Sequence, residues 1–204
     1  MIRTALEFIQ GELDAYIADR ENNPGDYAPG SIVDIRSIVL PNGNLNLDNN
    51  KHITIMLAGM EEERREGKRP HILPTSDNKF FSLNPPVEIN LFLLFIAHSS
   101  DYATALRDLS DVISFFQANI VFDEQRFPNL NASVEQPAEK PWQLIERLSF
   151  RLSNLSFEQQ NNLWAMLGGK YIPSALYKAS LLTAFDTKSK QVSAPVTELG
   201  ITEN

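Results

Sequence analysis

LSFEQQNNLWAMLGGKYIPSALYKASLLTAFD, residues 155–186, predicts a helix, a stop and a strand in that order. Ser156 and Gln159 stand three apart, the spacing of a capping box, in which the serine oxygen accepts from the Gln159 amide and the glutamine side chain answers the cap. Leu163, Trp164 and Leu167 then fall on one side of a short helix. Gly168-Gly169 stops it, because glycine enters the left-handed region without steric cost. Pro173 forbids a return to helix. From Ser174 the chain alternates, with Tyr177, Ala179, Leu181, Thr183 and Phe185 on one face and Leu176, Lys178, Ser180, Leu182 and Ala184 on the other. This closed unit carries no catalytic chemistry of its own.

Upstream, Val87–His98 is the most apolar stretch. Ile89, Leu91, Leu93 and Phe95 alternate with Phe92, Leu94 and Ile96, so both faces are apolar, as a central and doubly covered strand requires. Asp101–Asn119 follows as a helix. Tyr102, Ala105, Leu106, Leu109, Val112, Ile113 and Phe116 fit a 3.6-residue period, and Ser100 or Asp101 can cap it. Glu146–Leu152 alternates again, with Leu148, Phe150 and Leu152 predicted inward and Arg147 and Arg151 outward.

Toward the N-terminus, residues 2–19 place Ile2, Ala5, Leu6, Ile9, Leu13, Tyr16 and Ile17 at helical spacing, and Asn22-Asn23-Pro24-Gly25 ends that helix. Ser31–Val39 and Lys51–Met60 read as strands, separated by a turn signal at Pro41-Asn42-Gly43-Asn44. Residues 61–86 and 120–145 are long connections without a period, and part of the first can extend its strand as a hairpin arm. The expected order is α-β-β-β-α-β-α-β: an α+β fold with a mainly antiparallel mixed sheet flanked by helices, with long loop arms. One domain spans 1–187, and 188–204 reads as a polar tail whose Val196, Leu199 and Ile201 can dock on something.

Charge and composition narrow the function. A net charge of −8 without a concentrated basic patch argues against a nucleic-acid partner. Arg64, Arg65, Lys68 and Arg69 follow Glu61, Glu62 and Glu63, so the two blocks neutralise each other. With no cysteine there is no disulfide and no thiolate chemistry. The N-terminus has no uninterrupted apolar segment of signal-peptide type, and Leu91–Ala97 is too short to span a bilayer, so synthesis in the cytoplasm and no membrane partner are expected. His52, His71 and His98 lack metal-ligand spacing. Gly168-Gly169-Lys170 ends a helix rather than opening one, the wrong end for a phosphate. No cofactor, metal or catalytic residue is expected, and the residues alone stop at an α+β domain of an assembly.

Two blocks carry a resemblance. The first is PPVEINLFLLFIAHSSDYATALRDLSDVISFFQAN, with Pro85-Pro86, Asn90-Leu91, Asp101-Tyr102, Leu109, Val112-Ile113 and Phe116. The second joins Leu163-Trp164, Leu167-Gly168, Lys170-Tyr171, Pro173-Ser174 and Tyr177-Lys178. Together with the N-terminal helix they resemble the tail-terminator, or cap, proteins of extracellular contractile injection systems of the antifeeding-prophage and virulence-cassette kind. The resemblance covers residues 1–187 and excludes the two long loops.

It implies a structural protein and no enzyme. Six copies form a ring at the baseplate-distal end of a phage-tail-like particle, touching the inner tube protein and the sheath protein. A cyclic ring needs two different surfaces per subunit. Glu61, Glu62 and Glu63 on one side and Arg147 and Arg151 on the other are candidates, with Val196 and Leu199 as a further contact to sheath. The alternatives are another part of the same particle, such as a tube or sheath adaptor or an assembly chaperone, and more remotely a small hydrolase or ligand-binding domain.

Overall fold

The computed structural model describes residues 1–21, 27–63, 71–74, 80–83, 88–137, 139–140, 143–182 and 191–193. The elements are α1 (Ile2–Glu21), β1 (Val33–Ile35), β2 (Ile53–Glu63), β3 (His71–Pro74), β4 (Phe80–Leu83), β5 (Glu88–Ala97), α2 (Tyr102–Ala118), β6 (Val121–Asp123), β7 (Arg147–Leu152), α3 (Phe157–Met166), β8 (Ser174–Leu182) and β9 (Gln191–Ser193). The fold is α+β, as the sequence predicts. A six-stranded sheet runs β1-β2-β5-β8-β7-β6, and a three-stranded one runs β3-β4-β9.

Strand β5 sits at the centre because it is apolar on both faces. It pairs antiparallel with β2, Ile53 opposite Ala97 through Glu63 opposite Glu88, and with β8, Ile96 opposite Ser174 through Glu88 opposite Leu182. One face of the sheet is covered by α1 and α2. Ile9, Leu13, Ile17, Leu91, Phe95, Val112, Phe122, Leu148 and Leu181 meet there, all fully or nearly fully buried. Aromatic rings dominate its middle. Phe116 lies 4.4 Å from Phe150 and 4.5 Å from Tyr177 between centroids, and Phe95 stands edge-on to Phe116 at 5.1 Å. The opposite face is covered at one end by α3, where Trp164 packs with Ile38, Met56, Leu94 and Ile96.

Local signals place these elements. The Ser156 hydroxyl accepts from the Gln159 amide at 3.2 Å, and the Gln159 side chain accepts from the Ser156 amide at 3.0 Å, closing the capping box. Gly168 takes φ +63° and ends α3. Asp101 caps α2 by accepting from the Thr104 amide at 2.9 Å. Gly43, at φ +82°, completes the Pro41–Asn44 turn, with its amide donating to the Leu40 carbonyl at 2.8 Å. In β8, Ala175, Tyr177, Ala179 and Leu181 are buried and their neighbours only half so, the alternation expected; Thr183 and Phe185 lie outside the described residues.

Several expectations are corrected. The strand expected over Ser31–Val39 is only three residues long, and it pairs parallel with β2, Val33 opposite Ile53. It is pinned from α1 rather than by a long ladder: the buried Asp14 carboxylate accepts from the amides of Gly30, Ile32 and Val33. The connection 61–86 is not a loop throughout. Glu61–Glu63 continues β2, while β3 and β4 form the hairpin arm, placing His71 in a strand. The connection 120–145 supplies β6 and buries Leu130 and Ile145. Leu152, expected inward, is exposed. Tyr102 and Leu106 of the predicted α2 stripe are exposed as well; the buried face runs through Ala105, Asp108, Asp111, Val112, Phe115 and Phe116. The polar tail contributes β9, whose Val192 pairs with Phe81.

Candidate functional site

Three polar places on this scaffold could carry function. The first lies where β2 begins and β5 ends. The Ser99 hydroxyl donates to Asp108 Oδ2 at 2.5 Å, and the Tyr27 hydroxyl donates to Asp108 Oδ1 at 2.6 Å. His52 Nδ1 lies 3.2 Å from both Asp108 Oδ2 and Ser99 Oγ. A serine, a histidine and an aspartate thus meet, which tests the hydrolase reading directly. A relay needs serine and aspartate on opposite ring nitrogens, so that the imidazole can take the serine proton. Here both approach the same nitrogen, and the serine proton is already given to the carboxylate. The arrangement ties β2, β5 and α2 together and cannot activate Ser99.

Its electrostatics agree with a closed network. Burial would push the Asp108 carboxyl up, but hydrogen bonds from His52, Ser99 and Tyr27 hold it below its ordinary value. Burial and the Asp108 carboxylate push the Tyr27 phenol up. Beside it, the Thr54 hydroxyl donates to Asp34 Oδ1 at 2.7 Å and therefore accepts from His98 Nε2, 2.9 Å away. Burial holds His98 below its ordinary value, and the Thr54 oxygen as acceptor places a proton on Nε2. A cleft of about 290 Å³ adjoins the cluster. Three of the polar groups on its wall are engaged: Lys51 with the Gly30 carbonyl, Asp101 with Thr104 and Arg107 with Tyr27 and Glu21. Among the described residues no group of three or more acids or histidines could hold a metal.

The second place joins the end of α1 to α2. Arg20 pairs with Asp111 at 2.8 Å and Arg107 with Glu21 at 3.2 Å. Asp111 is 2% exposed. Burial and the neighbouring Glu21 carboxylate raise it to about 6, against the attraction of Arg20. A carboxyl raised on folding stabilises fully below its unfolded value, near 3.8, and that stability is lost as the pH rises through about 6. The loss is on the order of 2–3 kcal/mol at pH 8. Asp111→Asn, which cannot ionise, should therefore raise the melting temperature by several degrees at pH 8 and change it little at pH 4.5. Equal shifts at both pH values in thermal unfolding would remove this account.

The third place is the half of the outer sheet face that α3 leaves open among the described residues. Strand alternation brings Arg147, Ser149 and Arg151 of β7 onto it, with Lys178 and Ser180 of β8, Asn90 of β5, and Glu61 and Glu63 of β2. Asn90, 1% exposed, is the hub. Its amide donates to Glu63 Oε2 at 2.8 Å and to Glu61 Oε1 at 3.3 Å, and its oxygen accepts from the Ser180 hydroxyl at 2.6 Å. Lys178 reaches across to Glu61 at 2.8 Å. Arg147 and Arg151 are exposed and make no ion pair among the described residues.

A model of the Pvc16 N-terminal domain matches residues 4–198, nearly the whole chain. The chain belongs to the Pvc16 N-terminal domain family. No curated protein matches it. Among solved structures, the fold is similar to the sheath/tube terminator of an extracellular contractile injection system, PVC, in its extended state. That match has a TM-score of 0.55 at 14% identity and covers 94% of this chain and 62% of that one. The tube-terminating cap of the anti-feeding prophage is also similar, with a TM-score of 0.48 at 13% identity, over 74% of this chain and 48% of that one. The chain thus spans about three fifths of the length of the first terminator.

The resemblance read from the two sequence blocks is borne out by the Pvc16 N-terminal domain family. Those blocks are β5–α2 and α3–β8, the centre of the sheet and its two coverings. Of the site residues named from sequence, Glu61, Arg147 and Arg151 share one sheet face, with Glu63; Glu62 pairs with Ile89 and points to the other face. Val196 and Leu199 lie outside the described residues. Sequence reasoning missed Asn90 as hub, Lys178 as the partner of Glu61, and the buried acids Asp14, Asp108 and Asp111. A polar residue inside an apolar strand, as at Asn90, was the one available signal.

Proposed function

We propose that this chain is a terminator subunit of a contractile injection particle: copies of it form a ring, six in number, that closes the baseplate-distal end of the tube and touches both inner tube and sheath. Family membership over residues 4–198 carries the reading. The similar folds of a sheath/tube terminator and the two sequence blocks support it. The role is structural, and the Ser99–His52–Asp108 cluster, with serine and aspartate on the same ring nitrogen, is not arranged as a relay. Glu61, Glu62, Glu63, Arg147 and Arg151 are the proposed subunit or sheath contacts, with Val196 and Leu199 as a contact to sheath. The subunit is made in the cytoplasm and assembled into an injection particle, released or cell-associated.

An adaptor or an assembly chaperone of the same particle is the second reading. The test is position. With the chain labelled on intact particles and imaged by electron microscopy, signal at one end only is expected. Signal along the shaft means an adaptor, and absence from finished particles means a chaperone. Native mass measurement of the purified chain should give a multiple of the subunit, expected to be six.

A further inference from the structure

We infer that Arg147 and Arg151 receive the acidic, helix-side surface of a second copy of this chain, so that neighbouring subunits meet front to back. The inference rests on the ring reading and names its contact.

Two facts set the basic side. Arg147 and Arg151 are exposed on β7 with no ion-pair partner among the described residues, whereas Lys178, the third cation of that face, is engaged by Glu61. Glu61 is in turn held by Lys178 and Asn90. The face therefore satisfies its own acids and leaves two guanidinium groups over. Guanidinium is built for bidentate pairing with carboxylate, and Arg147 and Arg151, four residues apart on β7, stand on the same face of the strand. Asp123 stands opposite Arg147 on β6 and accepts from the Arg126 amide at 2.9 Å, but makes no ion pair with Arg147.

The acidic side lies on the other layer. The segment after β6 meets α1, its Asn129 amide donating to Glu12 at 2.6 Å, and is held internally by the Asn131 amide donating to Glu124 at 2.7 Å. Glu124, Glu135 and Glu139 are exposed there. Among the cations nearby, Arg3 is paired with Glu7 and also attracts Glu135, Arg126 lies over the Phe127 ring, and Lys140 follows Glu139; four acids (Asp123, Glu124, Glu135 and Glu139) still outnumber the two cations of residues 123–140. Phe8 of α1 stacks edge-on with Phe122 and Phe127, so this acidic lobe is fixed to the helix-covered face of the sheet. The cations are on the opposite face. A chain with net charge −8 thus carries an unpaired basic stripe on one layer and an acid-rich lobe on the other. Two unlike, complementary surfaces on opposite layers are what a head-to-tail contact needs. A self-complementary dimer would need one surface that matches itself. Charge complementarity of this kind sets partner choice and register.

The test uses full-length chains and native mass measurement with sedimentation. Wild-type chain should self-associate, more weakly as salt rises. Arg147→Glu with Arg151→Glu should lose association at least tenfold, and so should Glu124→Lys with Glu135→Lys and Glu139→Lys. All five positions are exposed, and unchanged thermal unfolding checks the fold. Mixing the two variants should restore association, since each altered surface then faces its complement. Wild-type behaviour of either variant, or a mixture that stays dissociated, overturns the contact while leaving the ring intact as a reading. A wild-type chain that stays single in solution and is absent from particle ends overturns the ring reading itself.

Discussion

Asp14→Ala should cost the fold roughly 2–6 kcal/mol, the sum expected from leaving the two buried amide donors of Ile32 and Val33 without partners at about 1–3 kcal/mol each. Asp14 sits on α1 at 4% exposure and accepts from Ile32 and Val33, both at 2.9 Å, and from Gly30. These are the amides that carry the chain into β1. With only three residues and one parallel neighbour, β1 has little ladder of its own to hold it. Without the carboxylate, the edge of the sheet beside β2 keeps only the Gln10 side chain, donating to the Val33 carbonyl at 2.9 Å, as a hydrogen bond from α1. Asp14→Asn should fall between wild type and alanine, because an amide oxygen still accepts but without charge assistance. Denaturant unfolding checks this through the midpoint, with the slope unchanged. A cost under 1 kcal/mol for alanine would show that water replaces the carboxylate.

Phe116→Ala is expected to be as damaging, about 3–5 kcal/mol, for a different reason. The ring lies between layers. It stacks on Phe150 of β7, leans on Tyr177 of β8, and meets Phe95 of β5 and Phe115 of its own helix at 5.1 and 5.0 Å. Removing it opens a cavity that three strands and a helix share, and no one of them can close it alone. Phe116→Leu should cost well under half as much, since most of the volume stays and only the ring geometry is lost. Stability measured by denaturant for the pair separates packing from simple hydrophobicity. If leucine proves as costly as alanine, the ring–ring geometry and not the filled volume is the main term.

Much of this architecture could be read from local pattern. The period of α1, the two-faced β5, the capping box at Ser156 and the alternation of β8 each depend on neighbours in sequence, and each is found. What escaped depends on partners far away. Asp108 and Asp111 sit on the buried side of α2, where a helical period counts them as solvent-facing. They are tolerated because His52, Ser99, Tyr27 and Arg20 arrive from other elements. The period instead recruited Tyr102 and Leu106, which are exposed. The parallel pairing of β1 was hidden for the same reason, since its anchors are two side chains of α1, Asp14 and Gln10. Of the open sheet face, the outward direction of Arg147 and Arg151 was legible from alternation. That Lys178 and Asn90 already occupy Glu61 was not, because those contacts join three different strands.

The strand order has a kinetic side. β5 is the middle of the sheet, yet its partner β8 begins about 77 residues later in the chain. Contacts that distant close slowly, because loop entropy is spent before pairing returns it. During synthesis, at about 5–20 residues per second, β5 has one edge and two apolar faces without its final neighbour for roughly 4–15 s. A nascent subunit therefore passes through a window in which its most adhesive strand is open to other chains. Variants that slow β8 or weaken its pairing should show their damage first as lost yield during synthesis, before any change in the finished subunit.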